Sequence, residues 1–161
     1  MKLTFGIDPG HDGGIACIPG IAKSEVAALV WNDDGLDVLG LRRFIDDTLD
    51  VLGPCEPLIV IEKVHAMPKQ GTVSMFTFGA GFGELKAVAK FCQIPWALVP
   101  PQTWKKSVLA GTDKSKGATV AWAHRTYPAL VSALTKKSGL PHMGKVDALA
   151  IAHYGHHFHA R

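Results

Sequence analysis

A chain of 161 residues, 47% hydrophobic and 19% charged, has the size of one domain and enough apolar side chains for a core, which excludes disorder and fibrous repeats. Lys and Arg number 17 against 14 Asp and Glu, and the net charge of +3 leans toward anionic partners without establishing nucleic-acid binding by itself. No apolar run reaches the roughly 18 to 20 residues that cross a bilayer, the amino terminus lacks a signal-peptide layout, and Cys17, Cys55 and Cys92 stand far apart with no C-x-x-C pair. The expectation is a single domain over residues 1–161, in a reducing compartment, with no membrane segment, no disulfide framework and no thiolate zinc site.

Residues 3–7 form a short apolar run stopped by Asp8-Pro9-Gly10, and residues 15–18 form a second after the turn His11-Asp12-Gly13-Gly14, so a hairpin is predicted. A third strand is predicted over 27–31. Leu41, Phe44, Ile45, Leu49 and Leu52 then share one helical face, closed by Gly53-Pro54. Residues 57–61 are the most apolar and β-branched run of the chain and predict a buried central strand that delivers Glu62 at its end. Residues 63–78 hold no sustained period and predict a working loop. A second helix runs from Phe82 to Cys92, a fifth strand over 96–99 ends at Pro100-Pro101, a third helix ends before Pro128, and a last one begins near Lys145 with Val146, Leu149, Ala150 and His153 on one side. This order predicts an α/β fold, a mixed five-stranded sheet flanked by helices.

Three acids fall where a fold alone would not place them. Asp8 ends an apolar strand, Glu62 ends the most buried strand, and Asp147 lies in the predicted first turn of a helix of small apolar residues. Each singly has an ordinary reading as a turn, a strand-end charge or a helix-start residue. Together, adjacent strand ends and a packed helix start can bring them to one spot, where they repel unless a divalent cation sits among them. Oxygen-only ligands favour magnesium, or manganese in its place, over zinc. Two such ions roughly 3.5 to 4 Å apart are the usual device for phosphodiester hydrolysis.

Gly6-Ile7-Asp8-Pro9-Gly10, Ile61-Glu62 and Val146-Asp147-Ala148-Leu149-Ala150-Ile151-Ala152 together resemble the RuvC-type Holliday-junction resolvases of the RNase H-like superfamily, in order and spacing over nearly the whole chain. Lys69-Gln70-Gly71 and Pro101-Gln102-Thr103-Trp104-Lys105 look like the phage and chloroplast branch of that group. The resemblance implies an RNase H-like nuclease domain that acts as a homodimer. It further implies magnesium-dependent nicking of one strand per active site in four-way DNA junctions, with no nucleotide cofactor. Asp8, Glu62 and Asp147 would be metal ligands, and Lys105 would support the scissile phosphate. The setting implied is the cytoplasm of a bacterium or phage-infected cell, or else an organelle matrix. Two positions depart from the family. Gly144 stands where an acid or histidine is often found, with His142 of the preceding loop read either as the candidate substitute or as an ordinary solvated loop histidine, and His65 stands where the bacterial enzymes carry an aromatic aimed at the junction centre.

Lys114, Ser115 and Lys116 precede a helix whose macrodipole the lysines oppose, so a phosphate seat is favoured there, with Ser115 or Asp113 as N-cap. Lys105, Lys106, Lys136, Lys137 and Lys145 could continue a basic track for DNA beside the acids, with Lys69 and Gln70 contributing from the loop. Met67, Met75, Phe76 and Phe78 read either as a junction wedge or dimer contact or as loop residues folded on the core. In the tail, His153, His156 and His157 favour a frayed helix over a zinc site. The turn after Asp8 also looks like the phosphate hairpin of actin-like kinases, but those need two such domains. A flap or fork nuclease with the same acids, and a weakly active junction-binding protein, are the remaining alternatives.

Overall fold

The computed structural model describes residues 1–20, 23–32, 35–65, 71–112, 115 and 117–159. In chain order these form β1 (Lys2–Asp8), β2 (Gly14–Pro19), β3 (Glu25–Ala28), β4 (Trp31–Asn32), β5 (Gly35–Leu36), α1 (Val38–Leu52), β6 (Glu56–Glu62), α2 (Thr72–Phe91), β7 (Trp96–Val99), α3 (Pro101–Val108), α4 (Ala118–Thr126) and α5 (Met143–His157). The main sheet has the order β3-β2-β1-β6-β7, with β4 and β5 a separate small ribbon. β1, β2 and β3 pair antiparallel, whereas β6 pairs parallel with both β1 and β7. The expected mixed five-stranded sheet flanked by helices is the observed architecture, an RNase H-like one.

Several boundaries differ from expectation. The third strand lies at Glu25–Ala28, and Trp31 belongs to the β4–β5 ribbon instead. α1 starts at Val38 because Asp37 caps it, its Oδ1 accepting the Gly40 N–H at 2.9 Å. The predicted loop over 63–78 is helical from Thr72 onward. Pro101 opens α3 where an interruption was expected, since proline at the first helical position gives up no hydrogen bond. α5 begins at Met143 and runs unbroken across Gly155 to His157, so the tail expected to fray belongs to the helix.

Strand alternation divides the interior in two. Leu3, Phe5, Ile7, Ile59 and Ile61 face one core with α1 and α2. Ala16, Leu58, Val60 and Val99 face the other, with Trp104, Trp122 and most of α5. α5 is buried nearly all round, which explains why small and apolar residues fill it without a polar stripe.

Glycines set how closely α5 approaches the sheet. A Cβ on Gly6 of β1 would stand 2.2 Å from the Ala152 nitrogen and 2.4 Å from the Ala148 oxygen, both backbone atoms of α5. A Cβ on Gly144 would meet the Asp12 carbonyl oxygen at 2.0 Å and Gly13 Cα at 2.5 Å, so the first turn of α5 presses on the β1–β2 turn. Neither obstacle is a flexible side-chain tip. Gly6→Ala and Gly144→Asp are each expected to destabilise the domain by at least about 2 kcal/mol, the scale of overpacking in a tight core. Urea unfolding checks both, and a change within about 0.5 kcal/mol would refute the close approach.

Toward the end of α5, His153 packs edge-on against Trp122, and its Nδ1 lies 2.8 Å from the Tyr127 hydroxyl. Burial, aided by the neighbouring His157 and His156, pushes the imidazole down to about 4, and burial also pushes the Tyr127 hydroxyl up to about 12. The unfolded chain therefore takes up a proton near pH 6.5 that the folded imidazole refuses until about pH 4. The stability that His153 contributes is complete above pH 6.5 and is lost as pH falls toward 4. Partial exposure reduces the expected loss to on the order of 1 kcal/mol. It is read as the difference in acid sensitivity between wild type and His153→Gln, and equal sensitivities would refute it.

Candidate active site

Asp8 and Glu62 are the last residues of neighbouring parallel strands whose register pairs Ile7 with Ile61. Asp8 follows the parity of Thr4 and Gly6, and Glu62 that of Leu58 and Val60, so both acids belong to the sheet face covered by α5. Asp147 comes from α5 on that same face. Because the helix starts at Met143, Asp147 sits one turn inside it and not in the first turn, so its placement owes more to packing than to the helix dipole.

Asp8 and Asp147 both feel the charge of Glu62, and Asp8 that of Asp147 as well. Burial raises the Asp8 carboxyl to about 7; the Gly10 N–H, donated to Oδ1 at 3.1 Å, opposes this, the charges of Glu62 and Asp147 add to it, and Lys105 holds it back. Burial likewise raises Asp147 to about 6, with Lys105 opposing and Glu62 adding. Lys105 is thus the cation both acids share, while its Nζ lies 5.0 Å from the centre of the Trp104 ring. Trp104 is fully buried and donates its indole N–H to Glu62 Oε2 at 2.7 Å. The motif containing Trp104 is visible in the sequence, but no spacing rule links it to Glu62, 42 residues away.

Among the described residues, no three carboxylate, imidazole or thiol groups are already drawn around one point as in a closed metal cage. The donor set nevertheless fits a hard divalent cation. Asp147 Oδ1 is buried and has no hydrogen-bond partner among the described residues, which is costly unless a ligand supplies the missing contact. Three oxygen-donor side chains with mutual repulsion are what magnesium or manganese would relieve.

Other residues meet mixed outcomes. Lys106 is exposed beside Lys105. Lys145 is tied back, its Nζ donating to the Ala133 carbonyl at 3.1 Å, and Lys136 bonds Asp12 Oδ2 at 2.6 Å. Ser115 is exposed, but the N-cap of α4 is Gly117, not Ser115, whose carbonyl accepts the Ala118 N–H. Met75, Phe76 and Phe78 lie in α2 and not in a loop. Lys69, Gln70, Met67, Asp113, Lys114 and Lys116 lie outside the described residues. His142 is no solvated loop residue: it caps α5, Nδ1 accepting the Lys145 N–H at 3.4 Å, with Nε2 3.7 Å from Asp12 Oδ1. The space where a side chain at Gly144 would supply a fourth donor is filled by the β1–β2 turn.

No family model matches the sequence, and no curated protein matches it. Solved structures do. RuvC of Thermus thermophilus, in complex with a Holliday junction substrate, superposes with a TM-score of 0.62 at 16% identity, covering 94% of this chain and 91% of that one. A second structure of Thermus thermophilus RuvC gives 0.54 at 18% identity, with the same 94% and 91% coverage. The chain has the RuvC-type variant of the RNase H-like fold over nearly its whole length.

Proposed function

We propose that this chain is a structure-selective, magnesium-dependent endonuclease that resolves four-way DNA junctions by paired symmetric nicks, acting as a homodimer. The observation that carries the reading is the convergence of Asp8, Glu62 and Asp147 on one sheet face, with Lys105 as their shared cation. The ordered motifs and the RuvC-type fold support the same reading, and the Lys69-Gln70-Gly71 and Pro101–Lys105 motifs favour the phage and chloroplast branch. One nuclease domain spanning the chain, in the cytoplasm of a bacterial or phage-infected cell, accords with it.

Asp8, Glu62 and Asp147 would hold the metal, magnesium or manganese, which when bound activates water and stabilises the leaving oxygen of a phosphodiester. Asp8 is pre-oriented by the Gly10 N–H, and Glu62 by the Trp104 indole. Lys105 supplies a positive charge that acts on both Asp8 and Asp147, where a phosphate would otherwise meet like charge. Lys106 extends that charge outward, Lys69, Gln70, Lys114, Ser115 and Lys116 complete the proposed phosphate contacts, and Lys145 would join them by exchanging its bond to the Ala133 carbonyl for one to a phosphate. Selectivity would come from where backbone phosphates fall on a branched substrate, and less from base edges.

Cleavage of a mobile four-way junction, a flap, a fork and a linear duplex tests the reading, each in magnesium and in EDTA. Expected are paired nicks in the junction alone, abolished by EDTA and reduced at least about a thousandfold by Asp8→Asn, with junction binding retained. Equal cutting of flap and fork would replace the reading with a general branched-DNA nuclease. Tight binding without cutting in either metal would replace it with a junction-binding protein. Independently of DNA, saturating magnesium should raise the melting temperature of the wild type and have no effect on Asp147→Asn.

A further inference from the structure

We propose that Trp104 is a positioning residue for the metal-binding acid Glu62, an inference that rests on the functional reading above and deepens it. Glu62 ends β6, beyond the last pairing with β1, so strand hydrogen bonds fix its backbone and leave its side chain three torsions to settle. A carboxylate that must present an oxygen to an ion benefits from having that freedom removed beforehand. The indole N–H of Trp104 does this, donating to Oε2 at 2.7 Å and leaving the second oxygen outside that bond.

Three observations make Trp104 more than a core residue with an incidental bond. First, it is fully buried, and a buried indole N–H needs an acceptor; here the acceptor is a charged one, which makes the bond short and directional. Second, Trp104 belongs to the same buried core as Val60, Val99 and most of α5, and its helix α3 packs on α5, so the donor is carried on packing shared with the helix of Asp147. Third, the next residue, Lys105, places its ammonium 5.0 Å from the same ring. One side chain therefore sets the orientation of an acid with its edge and supports the shared cation with its face.

The test separates the N–H from the ring. Replacing Trp104 with its benzothiophene isostere exchanges the N–H for sulfur and keeps the shape, and Trp104→Phe is the genetic approximation. Manganese binding is measured by calorimetry without DNA. The expected result is about tenfold weaker manganese affinity for the isostere, at an unchanged melting temperature and unchanged junction affinity in EDTA. In cleavage, the magnesium concentration for half-maximal rate should rise by a similar factor, with kcat lowered and the KM for junction unchanged. Wild-type manganese affinity in a folded isostere protein would overturn the proposal and reduce Trp104 to packing. Absence of manganese binding in the wild type would overturn it as well. If the wild type binds manganese and cuts no junction, a loss of affinity in the isostere still supports the role of Trp104, while the nuclease reading fails.

Discussion

The flush contact between α5 and the first strand governs this molecule. At Gly6 the helix backbone lies where any side chain on the strand would be, and at Gly144 its first turn lies against the carbonyl of Asp12. Such proximity needs small residues on both partners, and Ala148, Ala152 and Gly155 supply them from the helix side. The gain is dense packing over the length of a helix that exposes almost nothing. The consequence for chemistry is positional. Asp147 follows the contact turn directly, so the packing that fixes α5 along β1 also fixes the distance between Asp147 and the end of the strand bearing Asp8. A helix held by larger, interdigitated side chains would stand farther off and could re-pack.

That rigidity sustains an arrangement the chain would not otherwise adopt. Asp8 and Asp147 are both raised well above an ordinary carboxylate by burial and by neighbouring negative charge, and one oxygen of Asp147 is buried without a partner among the described residues. These are local losses of stability offset by core packing elsewhere, as is usual where strain accompanies a binding site. Lys105 relieves part of the repulsion at Asp8 and Asp147 while its ammonium rests near the Trp104 ring.

Much of this is legible in the sequence where a local rule applies. Asp8 and Glu62 end runs of strand-forming residues, so their placement at strand ends follows from composition and alternation, and β6 and β7 lie where the apolar runs lie. What escapes is decided by distant contacts. The N-terminal part of α2 reads as a loop because Pro68, Gln70 and Gly71 lie just before it and no apolar stripe marks a helix; Gly81, farther along, is needed because the Trp31 ring packs where its side chain would be. α3 is hidden by Pro100-Pro101, which resembles a stop and is a start. Gly144 resembles a lost ligand when compared with a family pattern, and in three dimensions it is a contact point. His142 resembles a stray loop histidine, and its ring caps a helix while facing Asp12.

The same contrast explains why the site joins residues so different in kind. A strand end can aim a carboxylate roughly, through pleat and register, but not to the fraction of an ångström that coordination demands. The refinement comes from neighbouring groups: the Gly10 N–H in the turn for Asp8, the indole of a fully buried tryptophan for Glu62, and the glycine-seated backbone of α5 for Asp147. None of these three supports is itself an acid or a base, and none would be found by searching for chemistry. For Glu62 and Asp147 the support is an element of the core itself, a fully buried tryptophan and a nearly enclosed helix, which makes the geometry of the site and the stability of the fold properties of the same contacts.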